Sequence, residues 1–414
     1  MKISVPYDKN DAMSVELDDR LQVNFLEAND VDIDPDKNII QEAVDAPINQ
    51  KAFKEFLADA KDVLVIVNDA TRPTPTIKVL DTIFDDLKTR DYHFIIATGV
   101  HRGPTPEEYE QIFGPYYPEI KERIIVHDAK KEEEMVYLGD SSNGTPMYVN
   151  KAGVDIEKII IISSVEPHYF AGYTGGRKSF LPGIAGYKTI EANHKLALVP
   201  EACALALDGN PVHEDMVDAI KVVQKDIFSI MTVLDKHHQV YATCAGHIDD
   251  SFFAAIDRAN EVFAAPLEEK ADIVVSVVKF PQDIDLYQAQ KGIDNAKLAL
   301  KEGGVMILVA KCRDGIGGKA FADLLGSCDT PQAALDKIEQ GYVLGYHKAA
   351  KMAEIGVWAE MWGVTGLDPE LLEPLFIKPF STLQDALDQA LAKKGDNASV
   401  LFLMDGGLTV PMVK

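Results

Sequence analysis

Short, nearly continuous apolar runs punctuate the chain. Each is followed by a turn and then by a stretch whose apolar residues recur every three or four positions. In the first half the runs are VLVIVND at 63–69, HFIIATG at 93–99, RIIVHD at 123–128 and KIIIISS at 158–164. Unbroken apolar runs of this length suit parallel strands buried on both faces. Around them, TIKVLDTIFDDLKTR, VHEDMVDAIKVVQK and SFFAAIDRANEVFAA have the spacing of surface helices packed on a sheet. A second series opens after APLEEKAD with ADIVVSVV, then DLYQAQKGIDNAKLALKEG, GVMILVA, the helical TPQAALDKIEQGY, VWAEMWGV and ASVLFLMD. The alternation predicts the α/β class, with two domains that each carry a mainly parallel sheet flanked by helices. The boundary falls near residue 268, giving an N-terminal domain over 1–267 and a C-terminal domain over 268–414. The last residues are free to pack back on the first domain. No fixed-period repeat is present.

Length supports the division, because 414 residues are too many for one ordinary core. At 47% hydrophobic and 26% charged, the composition is that of a globular chain. A formal net charge of -25 repels phosphate backbones and anionic lipid, which argues against nucleic acid and membrane partners. The first residues lack the apolar run of a signal peptide and no run of about 18 apolar residues follows, so a cytoplasmic location is expected. Cys203, Cys244, Cys312 and Cys328 are far apart, which suggests neither a disulfide framework nor a thiolate zinc site.

In open α/β sheets, ligands bind beyond the carboxyl ends of the strands. Asp69, Thr71 and Arg72 stand there, in the DATRPTP turn. Arg72 either offers a carboxylate or phosphate its donor fork or pairs with Asp69 to tie down the loop. After the next strand, VHRGPTPEE carries a capping box at Thr105 and Glu108, and His101 lies in the glycine-bearing turn before it. The richest segment is KIIIISSVEPHYFAGYTGGRKSFLPGIAGYKTIEANHK at 158–195. It delivers Glu166 and His168, then Gly172, Gly175 and Gly176, then Arg177 and Lys178, with His194 on the following helix. Glycines here are expected to leave backbone N–H groups free for phosphate, with Arg177 and Lys178 adding charge. It is not a Walker loop, and no GxGxxG follows a first strand. His213, after the Asn210–Pro211 turn, reads as structural. In the second half, Tyr287, Gln288 and Lys291 cluster on one helix, as either a small-oxyacid site or a solvated face. The glycines at 315–318 mark a further turn whose contact cannot be read, and Trp358 and Trp362 read as core aromatics rather than pocket contacts from the second domain, which is the other reading.

The run EPHYFAGYTGGRKSFLPGIAG, with His101 upstream and YQAQKG downstream, resembles the lactate racemase family along essentially the whole chain. The resemblance implies an isomerase that inverts the C2 centre of a 2-hydroxy acid, with its active site in the cleft between the two domains. It implies a nickel-pincer nucleotide, a pyridinium mononucleotide carrying thioamide and thiocarboxylate sulfurs, attached covalently at Lys178. His194 would be the nickel ligand, and His101 and His168 the acid/base pair. Asp69, Thr71, Gly172, Gly175, Gly176 and Arg177 would help hold the nucleotide, while Arg72, Tyr287, Gln288 and Lys291 would surround substrate. Proteins that make the cofactor would be needed as partners, so chain expressed alone can lack it.

The chemistry agrees with that picture. Nickel takes soft sulfur and imidazole ligands, and a cofactor bringing its own sulfur accounts for the lack of a cysteine cluster. Removing the C2 hydrogen as hydride avoids placing a second charge beside the carboxylate, and a histidine near neutrality takes the hydroxyl proton. Two other readings share parts of the pattern: a nicotinamide-dependent 2-hydroxy acid dehydrogenase, and a non-enzymatic nickel- or nucleotide-binding protein. No residue selects the substrate side chain.

Overall fold

Three apolar runs of the first half become the centre of one six-stranded sheet, and the fourth, RIIVHD, its half-buried edge, in the computed structural model, which describes residues 1–395 and 397–414. Two compact units make up the chain: Asp30–Val262, and Met1–Asn29 together with Phe263–Lys414.

In the first unit, strands β2 (Asp62–Asn68), β3 (Asp91–Ala97), β4 (Ile124–Val126), β5 (Lys158–Ser164), β6 (Asp226–Leu234) and β7 (Val240–Gly246) form the sheet. The order is β7-β6-β5-β2-β3-β4, parallel except for β7. Every residue of β5 is buried, and each fully buried Ile contributes roughly 1.5–3 kcal/mol of transfer free energy. Register sets Asn68 opposite Ala97 and Val67 opposite Ile162, so the loops after β2, β3 and β5 leave from one edge. Helix α1 (Thr76–Leu87) turns Val79, Leu80, Ile83, Phe84 and Leu87 inward, the three-and-four spacing read from sequence. Helix α2 (Pro106–Phe113) begins at the expected capping box, with both reciprocal bonds of Thr105 and Glu108 present.

The second unit has its own six-stranded sheet of β1 (Gln22–Leu26), β8 (Ala271–Val277), β9 (Leu300–Ala310), β10 (Glu360–Thr365), β11 (Ile377–Pro379) and β12 (Ser399–Leu403). All its pairs are parallel, in the order β11-β10-β9-β8-β12-β1. Here the structure departs from the boundary expected near residue 268. Residues 1–29 belong with the C-terminal half, because β1 pairs along Ser399–Leu403 and Ile3, Val5, Val15 and Leu17 join the core of Ile273, Val275 and Phe402. The final strand, Val410–Val413, pairs with Ala264–Leu267 of the same unit rather than returning to the first. Trp362 is a core residue stacked on Phe380, whereas Trp358 is half-buried at the end of helix Tyr346–Trp358. Among the described residues no helix is long and apolar enough to cross a membrane.

Candidate active site

Beyond β2 the chain makes a tight turn on its own aspartate. Oδ1 of Asp69 accepts from the Thr71 N–H at 3.1 Å and from Thr71 Oγ1 at 2.5 Å, and its backbone carbonyl accepts from the Arg72 N–H. Next door, the Thr98 carbonyl accepts the His101 N–H, which brings the imidazole back over the β2 loop. Nδ1 of His101 lies 2.7 Å from Asp69 Oδ2. Asp69 is buried while the His101 side chain is 44% exposed. Burial pushes the Asp69 carboxyl up, but the His101 hydrogen bond and charge, with Thr71 and Arg72, outweigh it and hold the group below the ordinary carboxylate value. Arg72 does not pair with Asp69. Its Nη1 sits 2.5 Å from Oε1 of Glu166, a buried carboxylate that leaves the end of β5.

The 166–178 segment folds back on itself as a two-residue ladder, Pro167 opposite Tyr173 and His168 opposite Gly172. Gly172 has a φ of +72°, and a Cβ there would lie 2.3 Å from the Ala206 carbonyl oxygen, so no other residue fits. Loop amides expected to await a phosphate are largely occupied. Tyr173 N–H donates to Ala171 O, Thr174 N–H to Glu166 O, Gly176 N–H to Ser163 Oγ and Lys178 N–H to Gly175 O. Residues 171–177 are all buried, so Gly172, Gly175 and Gly176 serve close packing here. Arg177 turns into the protein, against the expectation that it adds charge beside Lys178. Its Nη2 donates to the carbonyls of Ala171 and Tyr173, its guanidinium stacks 4.0 Å from the Phe252 ring, and burial pulls its pKa down to about 9. Behind it, His213 packs on Phe252, and burial followed by the Arg177 charge pushes its imidazole down to about 3.

Lys178, the next residue, points the other way and is half-buried. Its Nζ is 3.3 Å from His168 Nε2 and 5.7 Å from the centre of the Phe170 ring. Phe170 also meets His168 edge-on at 4.6 Å and His194 at 5.1 Å. The three residues singled out in the long motif therefore surround one buried phenyl ring. His194 reaches it from helix α3 (Tyr187–Lys195), which Asn193 fastens from within by donating to Val212 O and Asp215 Oδ2. Phe170 and Glu166 were both in view in the motif. An aromatic beside a histidine and an acid after a strand are the signals that mark them.

In the second unit, Tyr287, Gln288 and Lys291 lie half-buried on helix α4 (Leu286–Ala296), whose N-cap Asp285 accepts from Gln288 N–H at 2.7 Å. The turn at 315–318 clasps the start of this helix. Leu286 and Tyr287 N–H donate to Gly315 and Ile316 carbonyls, and a Cβ on Gly317 would lie 2.6 Å from the Asp285 carboxylate. Sequence reading missed Lys348 altogether. Its buried Nζ donates to Tyr287 O and lies 4.1 Å from the Tyr287 ring centre, and burial with the nearby Lys291 charge lowers its pKa to about 7. Burial, then Asp285, raises the Tyr287 phenol to about 12.

Comparison with known proteins gives this arrangement a context. The lactate racemase N-terminal domain family matches residues 7–205, and the lactate racemase C-terminal domain family matches residues 267–411. The chain belongs to the lactate racemase family. Lactate racemase of Thermoanaerobacterium thermosaccharolyticum is 30% identical over 98% of this chain and 97% of that enzyme. Lactate racemase of Lactiplantibacillus plantarum is 31% identical over 98% of both. The solved structure of the Thermoanaerobacterium thermosaccharolyticum lactate racemase apoprotein superposes with a TM-score of 0.92 at 29% identity, covering all of both chains. A Thermotoga maritima protein of solved structure shares the fold, with a TM-score of 0.68 at 17% identity over 91% of this chain and 97% of its own. Membership makes the chain an isomerase of the racemase class.

Among the described residues no group of three or more His, Cys, Asp or Glu side chains is arranged to hold a metal ion. A metal near Phe170 would have to bring most of its ligands with it, and His194 is placed to supply one imidazole. The half-buried Lys178 amine, beside His168 and Phe170, is placed to carry a covalent link. Lys178 and His194 are thus the residues here that could hold a group bringing its own metal ligands.

Proposed function

We propose that this racemase inverts the C2 centre of a 2-hydroxy acid, lactate or a close relative, with a nickel-pincer nucleotide attached at Lys178 and His194 as the protein's metal ligand. The observation that carries the reading is the gathering of His168, Lys178 and His194 around Phe170 within one unit. When bound, the cofactor would accept and return the C2 hydrogen as hydride. The chain's own residues have simpler tasks. His101 and His168 hold and release the proton of the substrate hydroxyl. Arg72, steadied by Glu166, takes the carboxylate, and Tyr287, Gln288 and Lys291 complete the substrate contacts. The glycine loop and Arg177 fix the backbone around Lys178, while Asp69 and Thr71 order the neighbouring turn beside the nucleotide. Proteins that build the cofactor are required partners.

Intact mass and nickel content of protein coexpressed with cofactor-making enzymes test this reading. The expected result is an added nucleotide mass that Lys178→Ala abolishes together with racemisation. An unmodified wild-type mass without nickel, or a Lys178→Ala protein that still racemises lactate, sinks it. A panel of 2-hydroxy acids then ranks substrates.

A further inference from the structure

The Asp69–His101 contact carries more than a place in a binding loop. Asp69 Oδ1 is taken by the N–H and hydroxyl of Thr71, which leaves Oδ2 directed at Nδ1 of His101 at 2.7 Å. The carboxyl is 8% exposed and stays ionised, its hydrogen bonds and neighbouring charges outweighing burial. An ionised carboxylate only accepts, so the proton between the two groups must sit on Nδ1. A neutral imidazole has one N–H, and the lone pair therefore lies on Nε2. The ring is also held from its backbone, where the His101 N–H is bonded to Thr98 O and Thr98 Oγ1 to His127 O. With its N–H direction and backbone both fixed, the ring has one orientation for Nε2.

We infer that Asp69 is a positioning residue that keeps His101 protonated on Nδ1, so that Nε2 is the atom exchanging a proton with the substrate hydroxyl. The second half of this inference rests on the racemase reading above, and the first does not. No bond to carbon is made by Asp69 or by His101. When His101 acts as base one proton passes from the hydroxyl oxygen to Nε2, when it acts as acid Nε2–H gives one back, and Oδ2 remains an acceptor in both states. The imidazolium that forms in between keeps Nδ1–H on the carboxylate, whose negative charge offsets it.

The tautomer can be read without cofactor. In 15N-histidine-labelled protein, at a pH where the imidazole is neutral, long-range 1H–15N correlations distinguish an Nδ1–H ring from an Nε2–H ring. His101→Gln identifies the signal. Wild type is expected to show Nδ1–H. Asp69→Asn, whose amide can donate as well as accept, is expected to move the population toward Nε2–H, and Asp69→Glu to restore Nδ1–H at least in part. A wild-type Nε2–H ring overturns the inference whatever the variants do, which also covers an Asp69→Asn protein that fails to fold. In cofactor-loaded enzyme, Asp69→Asn should retain its attached mass and lose roughly 10²- to 10⁴-fold in kcat, with KM moved less than about three-fold. Unchanged kcat in a folded, loaded Asp69→Asn protein overturns the positioning role. If loaded wild type racemises no acid in the panel, the functional reading fails while the spectrum still decides the tautomer.

Discussion

His101 and His168 leave the same edge of one sheet and are held by opposite means. His101 is half exposed and fixed by charge, its Nδ1 on the buried Asp69 carboxylate. His168 is buried and fixed by packing, with Tyr169 stacked at 4.9 Å, Phe170 edge-on at 4.6 Å, and its Nδ1 accepting the Ala171 N–H at 3.3 Å. One ring gives a proton to an anion and the other takes one from an amide. Racemisation asks two groups to do mirror-image work, yet a protein is chiral and has no mirror plane to offer them. The site therefore equips the two histidines unequally.

The largest effect that sharpens this contrast is loss of either ring. In loaded enzyme, His101→Gln and His168→Gln should each lower kcat by roughly 10²- to 10⁴-fold while keeping the attached nucleotide mass. A variant that keeps near-normal turnover removes its histidine from the chemistry. Next comes Phe170→Ala, which empties the ring shared by His168, Lys178 and His194. It should destabilise the protein by about 3–5 kcal/mol in urea unfolding and lower nickel content. A loss below about 1 kcal/mol would mean that packing does not hold this side of the site.

Smaller effects probe the partners. Glu166→Gln leaves the Arg72 guanidinium without its buried anion, and KM for the hydroxy acid should rise roughly tenfold, about 1.4 kcal/mol, with kcat nearly kept. A fall in kcat at constant KM would instead place Glu166 with the acid/base groups. The smallest effect concerns His213 behind the glycine loop. Its imidazole titrates near 3 when folded and near 6.5 when unfolded, so the unfolded chain binds the extra proton between those values. Wild-type stability should therefore fall as pH drops from about 6.5 toward 3, and His213→Leu should lose part of that slope. Parallel profiles for the two proteins would show that burial of His213 is relieved in solution.

Much of this was legible because buried parallel strands announce themselves as apolar runs and capped helices as spaced ones. His168, Lys178 and His194 of the 158–195 motif all meet Phe170. What failed depends on pairing across long sequence distances. QVNFL is short and partly polar, and nothing local says that Gln22–Leu26 belongs beside Ser399–Leu403. The Asp69–His101 contact needed the register of two strands, which a single sequence does not display. Arg177 and Lys178 look alike as neighbouring cations, but one short helical turn sends the first into the core and the second toward His168. Lys348 was missed because its helix, Tyr346–Trp358, carries its lysines inward, contrary to the habit of that residue.

The edge strand Gln22–Leu26 also sets an order of events during synthesis. Every strand of the Asp30–Val262 sheet has been made once residue 246 leaves the ribosome, whereas the other sheet lacks a neighbour for its first strand until Ser399–Leu403 appears. Gln22–Leu26 is thus translated long before its partner, and a growing chain carries it as an unmatched ribbon over most of the stretch between them. Relocating that ribbon to follow residue 414 would let the second sheet close as one contiguous stretch of chain.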